Sequence, residues 1–268
     1  MPPTTDQIDA RLRFALKLAD EARAVTLPWA DRRGGIVESK GDGSPVTEAD
    51  RACERLIRDR VAEEFAGDAV LGEEFEDTAG TSGYRWIIDP IDGTFSFMRG
   101  VPLWSTLIAV EHEDEPGRSV AGVIDLPALS ERVYAHRGGG CWHELGSNKA
   151  RRFEVNGKAD LKTSCACFTS IDSFRINDQE LALESLRTRT GFTRGWSDAY
   201  AAVLVATGRA EIAIEPEVKP FDIATWDIIA TEAGGMMTDW TGTQTFRGGS
   251  AVMTNGRLHN ELLALIRG

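Results

Sequence analysis

Apolar residues Ile8, Leu12, Ala15, Leu16, Leu18, Ala19, Ala22 and Val25 recur at helical spacing and predict an amphipathic helix over residues 7–26. Gly34-Gly35 breaks that pattern. Thr47 with Asp50 three residues on marks the entry of a second helix, which continues through Ala52, Leu56, Ile57, Val61 and Phe65. Val70-Leu71 reads as a short strand, and residues 84–88 as a buried strand rich in aromatic and β-branched side chains. Pro90, unable to donate to a ladder, should end the latter at Asp89. A short helix or turn starts at Phe95. Residues 105–111, 119–124 and 132–135 read as antiparallel strands, and Gly138-Gly139-Gly140 as a hairpin turn into a strand over 141–144. No Lys-Ser/Thr follows that glycine run, which rejects a P-loop.

From about Arg151 strands and helices alternate. Strands are expected at 152–155 and 163–168, a helix at 178–188 and a short strand near Phe192. An apolar helix at 199–207 is closed by Gly208 at a C-cap position. A strand at 211–214 ends in Glu215, and a helix at 223–233 is stopped by Gly234-Gly235. Asp222 stands where that helix would take its N-cap.

Composition narrows the function. A formal net charge of −12 argues against a nucleic acid polymer as partner, because that requires a basic footprint. No apolar run approaches a membrane span, and the start of the chain has neither a basic nor an apolar targeting region, so the cytoplasm is expected. Cys53, Cys141, Cys165 and Cys167 have no C-x-x-C spacing. Cys165 and Cys167 alternate on a predicted strand and should share a buried face as structural residues. Four histidines and no H-E-x-x-H make a zinc site a poor fit.

The candidate chemistry is concentrated in Trp86-Ile87-Ile88-Asp89-Pro90-Ile91-Asp92-Gly93-Thr94. Asp89 and Asp92, three residues apart across a proline, can converge on one point. Backbone N–H groups of Gly93 and Thr94 would face an anion at a helix start. Hard carboxylate oxygens beside an anion cradle suit Mg²⁺ bridging to a phosphate.

The hexamer Asp89-Pro90-Ile91-Asp92-Gly93-Thr94 resembles the signature of the inositol monophosphatase-like family of Mg²⁺-dependent phosphatases. Three further stretches match in the family's order. One is the loop Lys40-Gly41-Asp42-Gly43-Ser44-Pro45-Val46-Thr47-Glu48-Ala49-Asp50, and another is Gly72-Glu73-Glu74. The last runs from Phe221-Asp222 through Glu232-Ala233-Gly234-Gly235. Phe221 stands where the family usually has Trp, and Thr225 replaces a common Ala; Phe95 stands where the histidinol-phosphate phosphatase branch of the family often carries Lys after D-G-T.

The resemblance implies an α+β fold, a layered αβαβα sandwich of the inositol monophosphatase/fructose-1,6-bisphosphatase type, often a homodimer. An N-terminal half, residues 1–145, would carry most metal ligands. A C-terminal half, residues 146–268, would supply Asp222 and the substrate-selecting residues. Two or three Mg²⁺ per site are implied, with Mn²⁺ as the alternative ion, held by Glu73, Asp89, the Ile91 carbonyl, Asp92 and Asp222. Glu73 and Thr94 would orient an attacking water, with Asp50 near the metals. Gly93, Thr94 and Lys40 would meet the phosphate, while Glu74 should point away.

The run Arg99-Gly100-Val101-Pro102-Leu103-Trp104-Ser105-Thr106-Leu107-Ile108 resembles the histidinol-phosphate phosphatase branch. That branch implies a small phosphate ester with a cationic leaving group, read by Asp198 and Glu215 beside Asp222. Trp104 itself reads as a packing residue. Inositol-1-phosphate and 3′-phosphoadenosine nucleotides are the alternative substrates. A catalytically silent, metal-binding regulatory protein is the alternative class, which the full set of expected ligands argues against.

Overall fold

In the computed structural model, which describes residues 2–30, 37–39, 45–196 and 198–267, helix α1 (Thr5–Ala30) turns Ile8, Leu12, Ala15, Leu18, Ala19 and Ala22 onto one buried face. It runs about one turn beyond the expected end and takes Pro28 into that last turn. Strands β1 (Val37–Ser39) and β2 (Pro45–Thr47) pair as an antiparallel hairpin. Lys40 and Asp42 lie outside the described residues. Helix α2 (Glu48–Glu64) opens with a capping box: Asp50 N–H donates to the Thr47 side chain, and Thr47 N–H donates to the Asp50 carboxylate at 2.9 Å.

Strand β3 (Ala69–Gly72) runs parallel to β4 (Tyr84–Asp92), which leads through Gly93 into the short helix α3 (Thr94–Met98). Strands β5 (Ser105–His112), β6 (Ser119–Leu126), β7 (Glu131–His136), β8 (Gly140–Leu145) and β9 (Arg151–Phe153) follow. They extend the sheet antiparallel, giving seven strands in sequence order. The glycine run makes the β7–β8 hairpin, as expected. Trp104 is buried edge-on against Phe97, with ring centroids 4.8 Å apart.

One expectation is corrected here. Strand β4 does not stop at Asp89 but continues through Pro90 to Asp92. Pro90 is tolerated because the register slips at this point: Asp89 lies opposite Leu107, whereas Asp92 lies opposite Ser105.

A second sheet has the order β11-β10-β12-β14-β13. Its strands are β10 (Cys165–Cys167), β11 (Phe192–Arg194), β12 (Ile212–Glu215), β13 (Met236–Thr238) and β14 (Ala251–Thr254). Between and after them come α4 (Ile171–Ile176), α5 (Glu180–Arg189), α6 (Asp198–Ala206), α7 (Pro220–Glu232) and α8 (His259–Arg267). Strands β13 and β14 and helices α4 and α8 are absent from the sequence reading. The strands are three or four residues long and too short to show a period. In α8, Leu262, Leu263 and Ile266 do recur at helical spacing.

The layers stack as α1/α2, seven-stranded sheet, α6/α7, five-stranded sheet and α5/α8, the αβαβα sandwich expected. Three apolar cores fill the gaps, the largest around α6 and α7 between the sheets. Strands β5 and β6 are buried along their whole length because helices cover both faces of the sheet there.

Candidate functional site

The slip in β4 does the positioning. Side chains on a regular strand alternate, so residues three apart point to opposite faces. Three residues of β4 are set against two of β5, which restores the parity and turns Asp89 and Asp92 to the same side. The bulge is pinned by Thr106, whose hydroxyl donates to the Pro90 carbonyl at 2.9 Å, and by Cys53 of α2, whose thiol lies 3.8 Å from the same oxygen. Asp89 Oδ1 accepts the N–H of Ile91 at 3.0 Å. Gly93 has φ of +83°, a left-handed conformation that glycine adopts without strain. A Cβ there would also stand 2.8 Å from Asp198 Oδ2. The Thr94 hydroxyl donates to the Ile91 carbonyl at 3.2 Å.

Because β3 is parallel to β4, Gly72 lies opposite Ile88, and Glu73 leaves the sheet at the edge where Asp89 arrives. The turn after β3 is held by Glu54, a fully buried carboxylate of α2. It accepts the N–H groups of Glu74 at 2.7 Å and Phe75 at 3.3 Å, and is neutralised by Arg58 at 2.7 Å. A Cβ on Gly72 would fall 2.0 Å from this carboxylate. Glu73 acts on Asp89 and Asp222, while Glu74 acts on Arg51, so the two glutamates point apart as expected.

The other sheet and its helices complete the cluster. Ala199 N–H, at the start of α6, donates to Asp92 Oδ2 at 2.9 Å, and Ser105 Oγ donates to the same oxygen at 2.8 Å. Asp222 is not the N-cap of α7; the helix begins at Pro220, which is pre-shaped for a first turn, and Lys219 is the cap. Asp222 sits one turn in, where its Oδ2 accepts the Lys219 N–H at 2.7 Å. Glu215, at the end of β12, has its Oε1 held by both the N–H and the hydroxyl of Thr169, each at 2.7 Å. The same hydroxyl oxygen accepts the N–H of Asp198 at 2.9 Å. Asp50 is fixed in its capping box at the entrance of α2, one turn before Cys53.

Six carboxylates therefore face one another: Glu73, Asp89, Asp92, Asp198, Glu215 and Asp222. Burial, followed by repulsion from Glu73, Asp92 and Asp222, raises the Asp89 carboxyl well above its ordinary value. Asp92 is raised by burial and then by Asp198, against the Ala199 N–H that favours its charge. Burial first, then neighbouring carboxylates, push Asp222 up to about 7 and Glu215 up to about 8.

Among the described residues, no three His, Cys, Asp or Glu side chains are gathered tightly enough to chelate a cation as placed. The donor set itself fits one. Glu73, Asp89, Asp92, Asp222 and the Ile91 carbonyl are all hard oxygens, and a dication removes the repulsion that raises these carboxyls. Glu54, Ser105 and Thr169 were missed in the sequence. Only Glu54 left a signal, an acid between Cys53 and Ile57 on the apolar face of α2.

The sequence profile of the inositol monophosphatase family matches residues 8–268. The chain is 40% identical over 256 residues to a histidinol-phosphatase of Chlorobaculum parvum, covering 95% of this chain and 96% of that protein. It is 38% identical over 252 residues to a histidinol-phosphatase of Mycobacterium tuberculosis, covering 94% and 96%. Among solved structures, the Thermotoga maritima IMPase superposes with a TM-score of 0.83 at 30% identity, covering 96% of this chain and 97% of that one.

Proposed function

The chain belongs to the inositol monophosphatase family, and we propose on that premise that it is a Mg²⁺-dependent phosphomonoesterase that converts histidinol phosphate to histidinol and phosphate. One observation carries the substrate: Asp198 and Glu215 are tied together through Thr169, beyond the carboxylates needed for metal. A neutral polyol would leave these two acids in mutual repulsion. Histidinol carries an ammonium and a titratable imidazole, and either cation relieves it.

Bound divalent metal would neutralise phosphate oxygens and lower the pKa of a coordinated water. Glu73, Asp89, the Ile91 carbonyl, Asp92 and Asp222 would hold it. The residues then divide the remaining work. Thr94, its hydroxyl anchored on the Ile91 carbonyl, positions the attacking water, and Glu73 accepts its proton. The N–H groups of Gly93 and Thr94 meet the phosphate oxygens, since the first turn of a helix leaves them without intrahelical partners. Asp198 and the Oε2 side of Glu215 receive the cationic leaving group. The described residues place no activated nucleophilic side chain at the cluster, so direct attack by water is the route and no phosphoenzyme forms.

All four cysteines are unpaired, in keeping with a reducing cytoplasm. No helix of the described residues is long and apolar enough to cross a membrane. The homodimer implied by the resemblance belongs to the same reading and is checked by light scattering.

Phosphate release in Mg²⁺ from histidinol phosphate and from inositol-1-phosphate tests the assignment. A kcat/KM ratio of about 100-fold or more for the former is expected, nearly 3 kcal/mol of discrimination. Equal or reversed values would return the substrate to a polyol phosphate.

A further inference from the structure

Cys165 and Cys167 are two residues apart on β10 and therefore point to one face of the sheet, with their sulfurs 3.9 Å apart. The expectation that both are buried fails for Cys165, which is partly exposed because β11, its neighbour, is a short edge strand. Cys167 is buried behind it. The pair sits between opposite charges. Arg194 is the register partner of Cys167 on β11. On the other side Glu211 accepts the Cys165 N–H at 2.6 Å and is matched by Lys158 at 3.1 Å. A hydrogen bond from Cys167 draws the Cys165 thiol down to about 7, with Arg194 and Lys158 assisting. Burial drives the Cys141 thiol up to about 12 and raises that of Cys53. The first attack on an external disulfide thus falls to Cys165.

We propose that Cys165 and Cys167 form a reactive dithiol, a modification site that reduces an external low-molecular-weight disulfide and becomes an intrachain disulfide. Cys165 thiolate attacks one sulfur of R–S–S–R, forms the Cys165–S–S–R bond and expels one thiolate. Cys167 gives up its proton to that thiolate or to water, and its sulfur attacks Cys165 Sγ, expelling the second thiolate. Two protein thiols are oxidised and one external disulfide is reduced to two thiols. The Cα atoms of residues two apart on a strand are about 6.6 Å apart, at the long end of the ~4.4–6.8 Å that a disulfide spans. The product is strained and therefore readily reduced.

Closing the bond must bring the sulfurs from 3.9 Å to about 2.0 Å and bends β10. Two residues beyond the end of β10 stands Thr169, whose N–H and hydroxyl hold Glu215 and whose hydroxyl oxygen anchors Asp198. Oxidation therefore loosens the pair of acids that receives the leaving group. This last step rests on the substrate reading above; the thiol chemistry does not.

The test titrates native protein with an aromatic disulfide whose released thiolate is coloured, followed by mass measurement. Wild type should release two thiolates per chain and carry no aryl adduct. Cys167→Ser should release one and retain the adduct on Cys165, and Cys165→Ser should release none. A wild-type chain that keeps the adduct after a single release, or a Cys165→Ser chain that reacts like wild type, overturns the dithiol; the wild-type result decides even where a variant folds poorly. The oxidised enzyme should show a KM for histidinol phosphate roughly tenfold higher, the value of one charge-assisted hydrogen bond. Dithiothreitol should reverse this, and the KM for p-nitrophenyl phosphate should not move. An unchanged KM overturns the link through Thr169. If the reduced enzyme does not turn over histidinol phosphate at all, the substrate reading fails and the titration still decides the dithiol.

Discussion

The N–H of Ala199 donates to Asp92 Oδ2 at 2.9 Å, so the start of α6 fixes the orientation of a carboxylate carried by β4, 107 residues earlier in the chain. The same helix start carries Asp198, whose Oδ2 occupies the space a side chain on Gly93 would need. One helix start thereby sets Asp92 and Asp198 against each other.

Asp89→Asn should abolish turnover while leaving a folded protein. Asp89 is fully enclosed among like charges, and its removal relieves repulsion from Glu73, Asp92 and Asp222. We expect kcat to fall on the order of a thousandfold, about 4 kcal/mol of transition-state stabilisation, with the metal-free Tm equal to or above wild type. Near-normal turnover by the folded variant removes the site assignment.

Gly93→Ala combines a left-handed φ of +83° with a Cβ 2.8 Å from Asp198 Oδ2. Backbone strain alone costs about 1–2 kcal/mol, and the clash moves Asp198. A lowered Tm together with a raised KM for histidinol phosphate is expected; a raised KM without loss of stability would mean that the loop relaxes freely.

Asp198→Asn and Glu215→Gln should each raise the KM for histidinol phosphate about tenfold or more, through loss of a charge-assisted contact. The KM for p-nitrophenyl phosphate, which brings no cation, should stay within error. If both variants keep the wild-type KM for histidinol phosphate, these acids do not read the leaving group.

The cluster makes metal-free stability fall as pH rises. Asp222 is held up to about 7 and Glu215 to about 8, above the ordinary carboxylate range of the unfolded chain. Between those values the folded protein binds more protons than the unfolded one, so the stability these groups contribute is lost as pH climbs through 7 to 8. His259, its pKa lowered to about 4 by burial, is neutral in both states above roughly pH 7 and does not offset the trend. Thermal melts in chelator should show a lower Tm at pH 8.5 than at pH 6.5. Added Mg²⁺ should raise Tm more at the higher pH, where the carboxylates are ionised. A Mg²⁺ gain independent of pH would dissociate these acids from metal binding.

Glu54→Gln tests the support of Glu73. Glu54 is fully buried, paired with Arg58, and holds the turn through the Glu74 and Phe75 N–H groups. Arg58 keeps its bonds to Thr78 and the Phe75 carbonyl but loses its counter-charge, at a cost of about 3 kcal/mol of stability. Loosening the turn should lower kcat more than it raises KM, since the role proposed for Glu73 is on the attacking water and not on the leaving group.

The sequence alone determined the family and the layered fold and named the candidate metal ligands, because Asp89-Pro90-Ile91-Asp92-Gly93-Thr94 and its three companion stretches are local strings of chemistry. Long amphipathic helices and the fully buried strands β5 and β6 were legible for the same reason: their signal repeats within a few residues. Tertiary structure decided the rest. Whether Asp89 and Asp92 share a face depends on the slip of β4 against β5, a property of two paired strands that neither carries by itself. Asp222 became a first-turn residue because Pro220 starts α7. Glu54 holds backbone N–H groups 20 and 21 residues away, and Ser105 and Thr169 act on carboxylates 13 and 29 or more residues away, by contacts that no local pattern records. The six acids raise one another only once the chain has brought them together, since repulsion depends on distance in space and on exclusion of water.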